Sequence, residues 1–206
     1  MYHHIPKNFK KTRNGQNLSR VSIVVPTRDR PNDLAELLQT ILNQSYPLLG
    51  VIIIDDSPIG SAKQIVDSYS PKFKSANCRF KYVRGSGDGL PAARNLGMEI
   101  SEGDDILFLD DDTLLDRNVV SVSAAFLQDN PSVIGVQPKI LSSVKGKNSG
   151  RLSKKLENVI YKVLMLSYLE ENKQAVRRSG MDIFPSDLTK VISVQRLSGC
   201  CCCYRR

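Results

Sequence analysis

The chain has 206 residues, 41% hydrophobic and 24% charged, with no Trp and a formal net charge of +8. That length suits one domain with a sizeable core and argues against two full ones. No run approaches the ~20 apolar residues of a membrane-spanning helix, and the polar, basic head Met1 to Arg20 lacks the apolar centre of a secretory signal. The chain is therefore expected in the cytoplasm. The positive balance implies an acidic partner, and nucleic acid is set aside because no recognised motif accompanies the charge.

After the head, Val21-Ser22-Ile23-Val24-Val25-Pro26 is a short β-branched run stopped by proline, the pattern of a buried parallel strand. Arg30-Pro31-Asn32-Asp33 then opens a helix with Leu34, Leu37, Leu38, Ile41 and Leu42 at helical spacing and Asn32 as the expected N-cap. A second buried strand, Val51 to Ile54, ends in Asp55-Asp56-Ser57-Pro58. A helix around Ser61 to Tyr69 and a strand from Arg79 to Val83 follow. The glycine-rich Gly85-Ser86-Gly87-Asp88-Gly89 leads into a helix from Pro91 to Ile100, and the strand Asp105 to Leu109 runs straight into Asp110-Asp111-Asp112. Farther on, the pattern predicts a helix over Asn118 to Gln128, a strand over Val133 to Gln137 and a basic loop from Ser142 to Gly150. Leu152 to Leu169 reads as an amphipathic helix, and Val191 to Val194 and Leu197 to Tyr204 as strands. The basic stretch Arg151 to Lys173 reads first as a surface helix packed on the sheet and second as one lying on an anionic membrane.

Strands alternating with helices imply an α/β fold: a Rossmann-like, mostly parallel sheet with helices on both faces. Ligands of such sheets sit at the carboxyl ends of the strands, where Thr27-Arg28, Asp55-Asp56 and Asp110 to Asp112 all fall. Two carboxylates one residue apart supply the oxygen ligands that Mg²⁺ and Mn²⁺ prefer, and a cation there would make a pyrophosphate a better leaving group. The alternative, a charged loop capping the next helix, leaves three adjacent like charges without a counter-charge. Asp56 at a strand end can accept the N3–H of a uracil or thymine ring, while Asp55 to Pro58 also forms a turn. Arg94, near the start of its helix, can attract phosphate, although an exposed helix arginine is the commoner case.

Cys200 to Cys203 are four consecutive cysteines. Adjacent residues of a strand point to opposite faces, so they suit neither a disulfide framework nor a metal cage. They read as small buried thiols on a strand and fit a reducing compartment. A haloacid-dehalogenase-type phosphatase would need a threonine where Leu114 stands, and no GxxxxGK[ST] motif is present.

Five pieces in order, Val21 to Thr27, Asn43-Gln44-Ser45-Tyr46-Pro47, Ile54 to Ser57, Ala93-Arg94-Asn95-Leu96-Gly97 and Phe108 to Asp112, resemble the inverting family-two glycosyltransferases of the GT-A (nucleotide-diphospho-sugar transferase) fold. The resemblance implies a basic extension over 1–20 and a single GT-A domain over 21–206. It implies that Pro26, Thr27 and Arg28 form the nucleotide-binding end of the first strand, that Asp56 recognises the base and that Arg94 lies near the nucleotide. Asp111 would approach the ribose, Asp112 would coordinate Mn²⁺ or Mg²⁺, and Asp110 would complete a DXD pattern. The implied reaction is transfer from a UDP- or dTDP-sugar to a polysaccharide or lipid-linked acceptor of the cell envelope, with inversion, in the cytoplasm or peripherally at the inner face of the membrane. In the family the general base follows a segment like Leu197 to Arg206, so the catalytic base is expected outside a chain cut short at that point. A catalytically silent nucleotide-sugar-binding module and, behind it, a nucleotidyltransferase stand as alternatives.

Overall fold

The computed structural model describes residues 18–139, 175–176, 182–183, 194, 197 and 199–206. The expected loop at Ser142 to Gly150, the helix at Leu152 to Leu169 and all but Val194 of the expected strand at Val191 to Val194 lie outside them. The chain divides into two compact units, Met1–Pro138 with Ser198–Arg206, and Lys139–Leu197.

In the second unit the described elements are two short antiparallel strands, β6 (Ala175–Val176) and β7 (Asp182–Ile183). The first unit holds the remaining elements, with β1 (Val21–Thr27), α1 (Pro31–Leu42), β2 (Gly50–Asp55), α2 (Lys63–Ser75), β3 (Arg79–Arg84), α3 (Leu90–Ile100), β4 (Asp105–Phe108), α4 (Val119–Asp129), β5 (Gly135–Val136) and β8 (Cys202–Arg205). The strands form one sheet in the order β3-β2-β1-β4-β8-β5, parallel from β3 to β4 and antiparallel where β8 joins β4 and β5.

Alternation along the strands divides the core into two layers. Ile23 and Val25 of β1, with Val51 and Ile53 of β2, pack with Leu34, Leu37 and Leu38 of α1, Phe73 of α2 and Leu127 of α4. Val24, Ile52, Ile54 and Ile106 face the other way, onto Ala93, Leu96 and Ile100 of α3. The helices thus cover both faces, as the strand-helix rhythm implies. A Cβ on Gly97 would stand 2.2 Å from Val24 Cγ1, so glycine is what brings α3 down onto β1.

Three expectations need correction. Asn32 is not the N-cap: Arg30 holds that position, because Pro31 starts the helix, where its fixed φ and missing N–H cost nothing. α2 runs past Tyr69 and through Pro71 to Ser75, since Phe73 is buried there and stacks on Phe80 with ring centroids 4.2 Å apart. The strand expected over Leu197 to Tyr204 is regular only over Cys202–Arg205; Cys201, at φ 50°, turns the chain before it. Cys201, Cys202 and Cys203 are buried, and all five cysteines are free thiols.

Sheet order places the site. From β1 the chain goes first to β2 on one side and later to β4 on the other, so the β1/β4 boundary is the switch point where crevices open in such sheets. Pro26 deepens that opening. The β1–β4 ladder ends at Val24 and Phe108, with Leu109 N–H donating to Val24 O, and Pro26 has no N–H with which to extend it. The acidic loop therefore leaves β4 while β1 continues beside β2 to the Thr27–Asp55 pair.

Candidate active site

Strand ends, loops and helix starts converge at this edge. Thr27, the last residue of β1, donates its Oγ1 hydrogen bond to Asp111 Oδ2 at 2.8 Å. Where the ladder has stopped, the backbone N–H of Arg28 lies near the Asp111 carboxylate and favours its charged form. Asp111 is buried, and burial pushes its carboxyl above the ordinary carboxylate value. The Thr27 bond and the Arg30 charge act against that shift, and the neighbouring Asp112 charge adds to it.

Asp110 faces α3. Its Oδ1 accepts from Arg94 Nη2 at 2.6 Å, and the same nitrogen donates to Gly199 O at 2.8 Å. A Cβ on Gly199 would stand 2.6 Å from Arg94 Nη1. Arg94 is therefore a cross-tie between α3, the acidic loop and the turn before β8. Cys200, the next residue, lies with its Sγ 3.5 Å from Thr113 Oγ1. Asp112 is the outermost of the three carboxylates, with a side chain 58% exposed and an ion pair from Arg30 Nη1 to Oδ2 at 3.2 Å.

The two aspartates at the end of β2, Asp55 within it and Asp56 just past it, face different ways. Asp55 points into the protein: its carboxylate accepts the Ser57 N–H at 2.9 Å, the Ala62 N–H at 3.2 Å and the Tyr82 hydroxyl at 2.8 Å, and pairs with Arg84 at 3.4 Å. Burial pushes Asp55 upward, but the bonds from Ser57, Tyr82 and Ala62 outweigh it and hold the group below the ordinary value. Asp56 turns to the glycine-rich loop, where Oδ1 accepts the Gly87 N–H at 3.2 Å. Its carboxylate lies against Gly85 so closely that a Cβ there would be 1.8 Å from Oδ1. Asp56 N–H donates to Thr27 O at 2.9 Å, which locks the turn after β2 to the end of β1.

Of the residues singled out in the sequence, the structure brings together Thr27, Arg28, Asp56, Arg94, Asp110, Asp111 and Asp112 along one edge. Pro26 lies buried within β1 one position behind it, and Arg28 contributes its backbone while its residue is exposed. Two residues were missed. Arg30 contacts both Asp111 and Asp112, for which the only sequence signal was a basic residue just ahead of the helix-starting proline. Gly85 gives Asp56 its room, and a glycine-rich loop directly after β3 was its signal.

Among the described residues no three His, Cys, Asp or Glu side chains converge as a metal cage. Asp110 and Asp112 are a different kind of donor set: two carboxylates on one short loop, both partly exposed. Mg²⁺ and Mn²⁺ are commonly bound by one or two carboxylates plus substrate phosphates and water, so this pair fits such an ion beside a diphosphate.

A mostly parallel sheet covered on both faces, with acidic groups gathered at its switch point, is the architecture of the GT-A glycosyltransferases. The chain belongs to glycosyl transferase family 2, whose family model matches residues 22–206. Among its relatives, poly(ribitol-phosphate) beta-N-acetylglucosaminyltransferase TarS of Staphylococcus aureus is 26% identical over 133 residues, which are 64% of this chain and 22% of the relative. Poly(ribitol-phosphate) beta-glucosyltransferase of Bacillus spizizenii is 27% identical over 139 residues, 66% of this chain and 21% of the relative. The crystal structure of S. aureus TarS 1-349 in complex with UDP superposes with TM-score 0.53 at 26% identity, covering 62% of this chain and 38% of that one. A mannosyltransferase from Pyrobaculum calidifontis, in complex with GDP-Man and Mn²⁺, shares the fold at TM-score 0.55 and 22% identity, over 60% of this chain and 36% of that one. The chain spans about a fifth of the length of these curated relatives.

Proposed function

We propose that this chain forms the donor-binding part of an inverting, metal-dependent glycosyltransferase that uses a UDP- or dTDP-sugar. The observation that carries this is the meeting of Asp56, Thr27 and Asp111 at one strand edge, tied by the Asp56 N–H to Thr27 O and Thr27 Oγ1 to Asp111 bonds. A base-reading carboxylate and a ribose-side carboxylate are thereby held at a fixed separation. TarS has been crystallised with UDP and with UDP-GlcNAc, and the 26% and 25% identity of those structures to this chain supports a uridine donor.

Asp56 has one oxygen on the Gly87 N–H, which leaves the other to accept N3–H of the uracil or thymine ring. Asp111, fixed by Thr27 and Arg28, presents its carboxylate to the ribose. Arg94 keeps Asp110 and the Gly199–Cys200 turn in place, so that the diphosphate lies between the acidic loop and α3. A divalent ion held by Asp112 and Asp110 would neutralise the diphosphate and make it a better leaving group.

Transfer is then a single displacement. The acceptor oxygen forms its bond to the anomeric carbon as the bond from that carbon to the nucleotide oxygen breaks, with inversion. The acceptor's proton passes to a base that is none of these binding residues. Two relatives are named for poly(ribitol-phosphate), which supports a polymeric or lipid-linked envelope acceptor. We place the reaction in the cytoplasm, at the inner membrane face for a lipid-linked acceptor; five free thiols suit a reducing compartment.

Calorimetric titration tests the donor site. UDP or dTDP should bind in the presence of Mn²⁺, weakly or not at all in EDTA, and weakly to Asp112→Ala. Equal binding by that variant, or no effect of metal, would sink the assignment.

A further inference from the structure

Arg30 contacts the site but belongs to none of the roles above. We propose that it is a tethered counter-cation: in the free protein it neutralises Asp111 and Asp112, and on donor binding it yields Asp112 to the metal and turns onto the donor's diphosphate. The proposal rests on the donor-binding function proposed for this site.

The backbone of Arg30 is fixed while its tip is not. Asp29 has φ 55°, a left-handed conformation that aspartate tolerates better than most residues, and its N–H is anchored on Ser57 Oγ at 2.9 Å. That reversal folds the chain back over the strand ends. Arg30 O then accepts the Leu34 N–H at 3.1 Å, and Pro31 sets the first turn of α1. The side chain nevertheless remains 53% exposed. A built turn thus delivers a solvent-accessible guanidinium to one place.

Its contacts are of the exchangeable kind. Nη1 reaches Asp111 Oδ1 at 3.3 Å and Asp112 Oδ2 at 3.2 Å. Charge-assisted N–H to carboxylate bonds are normally about 2.7–2.9 Å, and Arg94 meets Asp110 at 2.6 Å. Arg94 is therefore the fixed tie and Arg30 the loose one. Asp111 has the Thr27 hydroxyl as a further donor, with the Arg28 backbone N–H near it, and does not depend on Arg30 for satisfaction. Among the described residues, the ion pairs of Asp111 and Asp112 both come from Arg30. A dication drawn to Asp112 attracts the carboxylate more strongly than one shared monocation does. The displaced guanidinium, tethered within reach, then finds phosphate oxygens, which its planar fork matches.

The test is calorimetry on the wild type, Arg30→Gln and Arg30→Lys with three probes: Mn²⁺ alone, UDP with saturating Mn²⁺, and uridine. With its competitor removed, Arg30→Gln should bind Mn²⁺ about two- to fivefold more tightly. It should bind UDP about tenfold more weakly, with uridine unchanged, and Arg30→Lys should recover part of the UDP affinity. Unchanged or weakened Mn²⁺ binding by Arg30→Gln, or undiminished UDP binding, would overturn the proposal and leave the donor site standing. Failure of the wild type to bind UDP and uridine at all would remove the donor site, and the proposal with it.

Discussion

Replacing Gly85 with alanine tests the base-reading role of Asp56 without touching that residue. An ideal Cβ at this position would stand 1.8 Å from Asp56 Oδ1 and 2.9 Å from Cγ. The carboxylate must move by more than about 1 Å to regain van der Waals distance, which destroys the alignment a hydrogen bond to a ring N–H needs. The clash falls on the end of a short side chain and not on backbone, so the fold should survive, with Tm within about 5 °C of the wild type. A hydrogen bond to a charged acceptor is worth roughly 1.5–3 kcal/mol, so UDP should bind about 10- to 150-fold more weakly. The assay is calorimetry with UDP and with inorganic diphosphate, on Gly85→Ala, Asp56→Ala and the double variant. Diphosphate affinity should be unchanged, and Gly85→Ala should add little in the Asp56→Ala background, because both changes remove the same bond. Wild-type UDP affinity in a folded Gly85→Ala protein, or full additivity in the double variant, would refute the reasoning.

Thr27→Val removes the buried hydrogen bond to Asp111 and should cost about 1–3 kcal/mol in denaturant unfolding, since it leaves a buried acceptor short of a donor. Gly97→Ala pushes α3 off Val24 and should destabilise by about 1–3 kcal/mol through overpacking in the same assay. Asp55 is held below its ordinary value in the folded chain, so its contribution to stability is present above the unfolded carboxylate value, about 4. That contribution should be lost as pH falls through the lower folded value; Asp55→Asn should flatten the acid limb of a stability-versus-pH curve. Burial pushes the thiols of Cys201, Cys202 and Cys203 up to about 12, so at neutral pH a maleimide should label half-buried Cys200 first and the other three only after unfolding, as mass spectrometry would show.

The β-branched runs of β1 and β2 and the apolar run of β4 were legible because they are largely buried on both faces and have no competing pattern. The polar clusters that end them meet along one edge of the sheet, since a strand end in a parallel sheet is a defined location. Other features depend on partners distant in sequence. Nothing local distinguishes Asp55 from Asp56, yet Tyr82 and Arg84 draw one inward while the space over Gly85 receives the other. The continuation of α2 through Pro71 depends on Phe73 finding Phe80, a tertiary gain that overrides a local breaker. Arg30 is 81 residues from Asp111, and its pairing required the left-handed turn at Asp29, which the sequence did not announce. Cys201 likewise adopts a left-handed conformation rare for a cysteine, so the strand expected from Leu197 is regular only from Cys202.

A crystal structure of this chain with UDP and Mn²⁺ is the most direct test of the central claim. The uracil N3–H should lie on Asp56, the ribose beside Asp111 and the diphosphate between Asp112 and α3. A nucleotide bound away from the β1/β4 edge, or there with its base remote from Asp56, would contradict it.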